Sequence, residues 1–478
     1  MKSKNLVIKN SFFNVIYKGF TAVFPLITTS YIAKVLLPEG VGRVEYAFTI
    51  VSYFVTIASL GIPNYGIKAI AQAEKKEKSK VFFELLIINS ISTFLCIFIY
   101  YYFIFHVGYF HDRIILFCTV GLMLFLNLFN IEWFLQGVEE YSYIAIRGMI
   151  IKILSFIAMV IFVKRQDDYI NYAFILCMGT AGNYILNIFR LNKYITIEKT
   201  KLDLKKHLVP VIILFASTIA TQIYTMLDST MLEYIHGEVY VGYYSTAVKI
   251  VRMVYTVSIA MVAPLYPRIS TYIKEKKKNE LNFLLSKGLK IIMIVSFPAV
   301  IGLFCMSDWI IYVLFGNAFM PSAITLKILS PLVIIFSFAY FLGHIILMSL
   351  NKERLILYSA ILGAIINVLL NIVLIPRFQQ NGAAISSLVA EIVVTIFVVI
   401  TSKDQYNLEI KNSFLISMII SLVVLFFVIY VLKSIFVMNL FGLLIVCIMS
   451  AIIYFVMLLI TKNDEVYEFY NFMKRIKL

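Results

Sequence analysis

Three cations lie inside long apolar runs of this chain: Lys18, Lys249 and Arg252. A charge in hydrocarbon is costly and needs an anion or water beside it, so each is a functional candidate. Ammonium and guanidinium groups in a hydrated site are suited to binding phosphate or diphosphate. Hydroxyl and amide groups share the same runs. Asn14, Lys18, Thr21, Pro25 and Thr28 are three or four residues apart, which places them on one helical face. Thr218, Thr221, Gln222, Thr225, Asp228 and Ser229 repeat the pattern, and Ser245, Lys249, Arg252 and Thr256 form a third stripe. Such stripes offer partners to a sugar. They are equally suited to helix packing, where Ser and Thr bond their own backbone. Among the carboxylates, Asp228 and Glu391 are candidates for a coupling cation or for an ion pair. Asp228 is a candidate partner for Lys249 or Arg252, and Glu391 shares its face with Ser387 and Thr395.

The elements that carry these residues are about fourteen apolar runs, at 10–36, 43–66, 81–105, 113–136, 144–163, 169–189, 208–234, 242–267, 288–314, 324–349, 355–375, 382–402, 412–432 and 439–461. A bilayer takes about 20 helical residues to cross, and barrel strands need only about 9–11. Inside lipid, helices and closed barrels alone satisfy the backbone. The expected fold is therefore an all-α polytopic membrane protein. Charged residues are 14% of the 478, below the roughly 25% of a soluble domain, and the spans leave no room for a soluble catalytic domain. No Walker motif, Ser-His-Asp arrangement or phosphate-cradling glycine loop occurs, so neither enzyme activity nor a cofactor is expected. No His or Cys pair has metal-ligand spacing, and the five cysteines read as small packing residues.

The net charge of +16 would suggest nucleic acid in a soluble chain, but its distribution says otherwise. Lys and Arg crowd alternate loops: Lys2 to Lys9, Lys68 to Lys80, Arg190 to Lys206, Arg268 to Lys290, Lys352 with Arg354, and the tail with Lys474 to Lys477. The opposite loops hold about six, including Arg43 and Arg113. The positive-inside rule puts both termini and the basic loops in the cytoplasm. The basic charge is then an orientation signal and a hold on anionic lipid headgroups, not a nucleic-acid surface. The first run is of full span length and contains Lys18, which reads as a retained span rather than a cleaved signal.

The chain repeats itself at an offset of about 200. Thr21 matches Thr221, Gly42 matches Gly242, and Ala47, Ile50 and Val51 match Ala247, Ile250 and Val251. Pro63-Asn-Tyr65 ends the second span and Pro264-Leu-Tyr266 ends the eighth. Six spans per copy is an even number, so the copies share one orientation, with a substrate site expected between two lobes. The expected organisation is a six-helix lobe over 1–195, a second over 196–405, and two further helices with a basic tail over 406–478. The cytoplasmic stretch 190–207 links the lobes.

Several motifs then resemble one family. They are Pro38-Glu-Gly-Val-Gly42 with Tyr46, Ser59-Leu-Gly-Ile-Pro-Asn-Tyr-Gly66, and Met226-Leu-Asp228 leading to Val241-Gly-Tyr-Tyr244. Ala263-Pro-Leu-Tyr-Pro267, Leu314-Phe-Gly316 with Phe319 and Ala323, and Gly382-Ala-Ala384 leading to Glu391 follow in order. Together they resemble the O-antigen and capsule repeat-unit flippases of the multidrug/oligosaccharidyl-lipid/polysaccharide exporter superfamily, over nearly the whole chain. The resemblance implies a carrier in the bacterial inner membrane. It implies movement of undecaprenyl-diphosphate-linked sugar units from the cytoplasmic to the outer leaflet by alternating access, driven by an H+ or Na+ gradient or by membrane potential. It implies a cationic cavity, for which Lys18, Lys249 and Arg252 are the matching residues here, and polysaccharide polymerase machinery as a partner. Related lipid II flippases have several arginines in that cavity. This chain has few basic residues there, mostly lysine, which argues for a different glycan.

Two other readings stay open. A drug or cation antiporter of the same superfamily would favour anionic cavity residues. A polytopic glycosyltransferase or polymerase would need a long outer loop or an acidic pair at a membrane boundary. Glu139-Glu140 is such a pair, but it falls on the cytoplasmic side of the expected topology.

Overall fold

The structure is a computed structural model that describes residues 2–74, 76–191, 193–195, 202–262, 265–350 and 352–467, with side chains described for all of these except 2–23, 217, 220, 221, 223–225, 267, 344, 353 and 405. Among the described residues the chain is helical, with no strand. Among the described residues eleven helical segments are long and apolar enough to cross a membrane. Two of them, Phe24–Gln72 and Arg354–Ser402, each cover two of the expected spans. With these divided and the seventh span added, the expected set of about fourteen is reproduced.

The first unit by contacts is Met1–Gly242. α1 (Lys2–Ser59) leaves helical geometry at Leu37, with φ 59° and ψ 177°. Pro38 follows, lacks an N–H, and disfavours a helical residue before it. The chain therefore reverses on a single residue. After α2 (Ile62–Gln72) and α3 (Lys78–His106), the expected fourth span is interrupted. α4 (Ile114–Asn127) and α5 (Glu132–Gly137) are separated by a turn. Its cause is polar: Asn127 donates to Thr93 Oγ1 at 3.3 Å, and Asn89 donates to the Asn127 carbonyl at 3.3 Å. α6 (Tyr141–Phe162) is continuous. The sixth span breaks between α7 (Tyr169–Thr180) and α8 (Ile188–Leu191), through a 3-10 segment at Gly182–Asn187. α9 (Lys205–His236) is the seventh span. Aromatic packing anchors the basic end of this unit, where Phe82, Trp133, Phe134, Ile62, Ile70 and Val211 form one cluster.

α10 (Glu238–Val262) begins in the first unit and continues into the second, Tyr243–Leu478. α11 (Tyr266–Lys274) follows it as α2 follows α1, each a short helix on the basic side. α12 (Lys278–Phe315) is long and carries Pro298. Pro331 then splits the expected tenth span into α13 (Ser322–Leu329) and α14 (Leu332–Phe338), which continues as a wide π-helical stretch over Ala339–Leu347. α15 (Glu353–Ser402) reverses at Gln379, with φ 54° and ψ −134°. α16 (Asn412–Ile435) and α17 (Leu440–Ile460) pack on α12. Phe414, Met418, Leu425, Ile429 and Leu458 are buried there, and Tyr454 donates to the Ile294 carbonyl at 3.1 Å. The last two helices thus serve as packing support for the second unit.

Large apolar side chains remain exposed along most spans, among them Phe98, Ile99 and Tyr102 on α3 and Phe427 and Tyr430 on α16. Soluble monomers rarely expose contiguous apolar surface of this extent. Lipid is the solvent these faces fit.

Gly61 shows how tight the helix contacts are. Its φ is +73°, and a Cβ there would lie 2.7 Å from the Phe215 nitrogen of α9. Gly302 in α12 has nothing within 4 Å of such a Cβ. Gly61→Ala is expected to cost about 1–3 kcal/mol through clash and backbone strain. Gly302→Ala is expected to stabilise by about 0.5–1 kcal/mol. Thermal unfolding of the two variants in detergent checks both signs.

Candidate functional site

Charged groups in the first unit collect at its two ends. At the end away from the basic loops, four elements meet. The turn at Leu37 starts the second half of α1, and Gly237, with φ +89°, starts α10. The two helix starts approach backbone to backbone. A Cβ on Gly42 would sit 1.8 Å from the Glu238 carbonyl oxygen, and one on Gly242 would sit 2.2 Å from the Pro38 carbonyl oxygen. The contact is reciprocal at the 200-residue offset, since 42 pairs with 242 and 38 with 238. Only glycine fits at either position.

Around this contact lies a network of ion pairs. Arg43 Nε donates to Glu238 Oε2 at 2.6 Å, and its other arm holds Glu39. Arg113 Nη1 donates to Glu233 Oε1 at 2.8 Å and lies 2.8 Å from Glu238 Oε1, an ion-pair contact without hydrogen-bond alignment. The Tyr109 hydroxyl also donates to Glu233. Glu233 and Glu238 are nearly inaccessible. Two buried carboxylates on α9 and α10 are thus matched by two arginines from α1 and from the segment before α4.

At the basic end, Glu84 of α3 has no exposed surface. It accepts from the Asp203 N–H at 2.7 Å and from His207 Nε2 at 2.8 Å, and Lys206 Nζ lies 3.0 Å away. The other ring nitrogen, Nδ1, is 2.8 Å from the Tyr65 hydroxyl of α2. With Nε2 donating to the carboxylate, a neutral imidazole accepts from Tyr65 through Nδ1. This clasp ties the start of α9 to α2 and α3.

Glu140 forms a further cluster between α5 and α6. Arg190 Nη2 is 3.1 Å from both carboxylate oxygens, Lys193 is 3.4 Å away, and Tyr194 donates its hydroxyl. The acidic pair Glu139-Glu140 is therefore engaged by the basic linker through Glu140.

The sequence-nominated residues fall as follows. The side chains of Asn14, Lys18, Thr21, Thr221 and Thr225 lie outside the described residues. Gln222 is half-buried on α9 and Asp228 is buried; two residues on, the Thr230 hydroxyl is 3.2 Å from Tyr53. In the second unit, Lys249 is half-buried and Arg252 exposed on successive turns of α10. Glu391 is buried. Its face is a packed seam: Ser387 Oγ is 3.0 Å from the Tyr244 hydroxyl, and Thr395 donates to the Ile335 carbonyl. Tyr255 lies within electrostatic range of both Arg252 and Glu391. Thr28, Thr218 and Thr256 bond carbonyls of their own helices. Asn367 and Asn371 are fully buried and joined at 3.1 Å, as a helix-packing stripe requires. Among the described residues no group of three or more His, Cys, Asp or Glu is placed to hold a metal ion. Glu84 and Glu238 were not nominated from the sequence. The signal for Glu238 was the repeat, which sets it opposite Pro38; Glu84 carries no sequence signal beyond an acid near a span end.

Comparisons with known proteins agree with this architecture. A family model described as polysaccharide biosynthesis protein matches residues 7–274, and one described as MatE matches residues 213–373. A protein of Shigella dysenteriae that carries the name O-antigen transporter is 23% identical over 393 residues, covering 81% of this chain and 98% of that one. A counterpart of the same name in Escherichia coli K12 is 24% identical over 396 residues, 80% of this chain and 94% of its own. Among solved structures, the lipid II flippase MurJ in an inward closed conformation superposes with a TM-score of 0.74 at 16% identity, over 96% of this chain and 99% of that one. An inward-facing multidrug resistance transporter of the MATE family gives 0.64 at 14% identity, over 80% and 94%. These two structures share the fold.

Burial alone would raise the Glu140 carboxyl, but hydrogen bonds from Tyr194 and Arg190 hold it below the usual carboxylate range. Its stabilising effect is therefore present above the unfolded value of about 4.3 and is lost as pH falls through the lowered one. Glu140→Gln should unfold at lower temperature than the parent at pH 7. The difference should shrink below about pH 4, as melting curves across pH will reveal.

Proposed function

The chain belongs to the polysaccharide biosynthesis protein family, within the multidrug/oligosaccharidyl-lipid/polysaccharide exporter superfamily, and we propose that it flips undecaprenyl-diphosphate-linked oligosaccharide units. The units move from the cytoplasmic to the outer leaflet of the bacterial inner membrane and feed a surface polysaccharide such as O-antigen or capsule. One observation carries this reading. Arg252 is exposed in the middle of α10, and Lys249 is half-buried one turn away. A mid-span cation with open surface needs water or an anion against it. A lipid-linked diphosphate brings such an anion into the membrane while its hydrocarbon tail stays in lipid. Lys18 would join them as a third cation. Asn14, Thr21, Thr221, Gln222 and Thr225 would meet the sugars.

Movement follows an alternating-access cycle between a lobe over 1–195 and one over 196–405. The additional helices over 406–478 support the second. The Arg43, Arg113, Glu233 and Glu238 network, with the Gly42 and Gly242 contact beneath it, serves as the outer closure. Opening it separates the start of α10 from the second half of α1. Asp228 and Glu391 are the carboxylates available to an H+ or Na+ ion that drives the cycle. Both termini lie in the cytoplasm, where the basic loops meet anionic headgroups, and polysaccharide polymerase machinery takes the product. No nucleic acid and no cofactor take part.

The match to MatE over residues 213–373 favours a second reading, antiport of drugs or cations. The cations at 249 and 252 weigh against it, because a cationic substrate would be repelled there.

Lys249→Ala and Arg252→Ala should each lower surface polymer by about tenfold or more, the scale of a lost charge-assisted hydrogen bond, without lowering membrane abundance. Lys249→Arg should retain more. Full polymer in both alanine variants would remove these residues from the mechanism. For the outer closure, Glu238→Gln leaves Arg43 and Arg113 without their shared carboxylate. It should increase labelling of a Tyr46→Cys reporter by an impermeant maleimide several-fold, because Tyr46 is buried beneath the network. Unchanged labelling would contradict a gating role.

A further inference from the structure

A groove of about 310 Å3 opens on the side of the first unit, lined by Tyr143, Ile146, Arg147, Ile150 and Ile151 of α6 with Leu186 and Phe189. Its walls are apolar and its rim is exposed, with Phe189 at 77% and Ile150 at 51%. Its floor holds an anomaly. Arg147 is only 6% exposed, and Glu132 takes Nη2 alone, at 2.7 Å. The buried Nε and Nη1 have no partner. The Arg147 guanidinium lies 5.5 Å over the Tyr143 ring, and that of Arg190 lies 5.5 Å over the same ring. Arg190 Nε is also buried without a partner.

Unmatched guanidinium N–H groups at low dielectric are costly to leave unsatisfied. Among the described residues Arg147 pairs with Glu132, and Glu140 is shared by Arg190 and the exposed Lys193. Arg147 lies six residues into α6, about 9 Å along the axis at the usual rise. That depth suits a phosphate at the edge of the hydrocarbon. Ile150 and Ile151 lie deeper, where an acyl chain runs. Basic pockets between membrane helices on the cytoplasmic side bind anionic headgroups by this chemistry.

We propose that the groove between α6 and the Leu186–Phe189 segment binds one anionic phospholipid, its phosphate on the unpaired N–H groups of Arg147 and beside Arg190, and its chain along Ile146, Ile150 and Phe189. The groove uses neither Lys249 nor Arg252, and the proposal stands whether or not those carry substrate. The same phosphate chemistry is present in a polyprenyl diphosphate, so the test distinguishes the two sources.

The test is native mass spectrometry of the full chain released from nanodiscs of mixed phosphatidylglycerol and phosphatidylcholine, with and without added undecaprenyl diphosphate. The parent should retain one phosphatidylglycerol in preference to phosphatidylcholine. Arg147→Gln should lower that retention about tenfold or more, the scale expected for losing a charge-assisted contact. Arg147 also pairs with Glu132, so a second variant leaves the pair intact: Ile150→Trp fills the groove and should lower retention as well. Ile361→Trp, at an exposed position on α15, should retain the lipid. Equal retention of phosphatidylglycerol in the parent and in Ile150→Trp would overturn the proposal. Equal retention of the two phospholipids by the parent would do so too. Displacement of phosphatidylglycerol by undecaprenyl diphosphate, lost in the same two variants, would overturn the assignment to a resident phospholipid.

Discussion

A charge at the centre of a bilayer costs about 2.5–3.5 kcal/mol on insertion scales, and the arrangement of this protein follows from how each such charge is matched. Where ionised groups lie at span ends, they are paired across helices. Arg43 and Arg113 take Glu233 and Glu238, His207 and Lys206 take Glu84, and Lys433 takes Asp308 at 2.9 Å. Lys290 similarly holds Glu465 at 3.1 Å. Removing one partner of such a pair strands the other, which is why these contacts fix helix positions more firmly than their net energy suggests. Against that pattern, the exposed Arg252 and the incompletely matched Arg147 stand apart. One lies mid-span on α10 and the other near the start of α6.

Backbone geometry supplies the second constraint. The same one-residue reversal, with φ between 54° and 90° and ψ far from helical, occurs at Leu37, Gly237, Gly316 and Gln379. It lets consecutive spans turn without a loop. In two of these four turns glycine supplies the conformation at little cost. Leucine and glutamine pay for it with strain that neighbouring contacts must offset. The close approach of Pro38 to Gly242 and of Glu238 to Gly42 depends on these turns, because a longer loop would set the helix starts apart. A contact between backbones has little lateral freedom.

Much of this was legible in the sequence. Apolar run length gave the helical membrane class, and the spacing of Gly42 and Gly242 pointed to the repeat. Thr28, Thr218 and Thr256 lie on stripes equally suited to helix packing, and each bonds a carbonyl of its own helix. Hydropathy could not show the breaks in the fourth, sixth and tenth spans, because an apolar run stays apolar through a turn. Asn127 and Pro331 were the marks of two of them. Nor could it show what covers the face that Glu391 shares with Ser387 and Thr395, where Tyr244 and Ile335 pack. Burial depends on which neighbour covers a face, and that is a tertiary property. Glu84 and Glu238 were missed for the same reason: their significance lies in partners more than a hundred residues away.

The central claim is that this chain moves a lipid-linked oligosaccharide. Mass spectrometry of polyprenyl-linked glycans after depletion of the protein in its native cell tests it most directly. The account predicts accumulation of one completed repeat unit on its lipid carrier, together with loss of the matching surface polymer. An unchanged lipid-linked pool, in a cell without a second flippase for that unit, would contradict it.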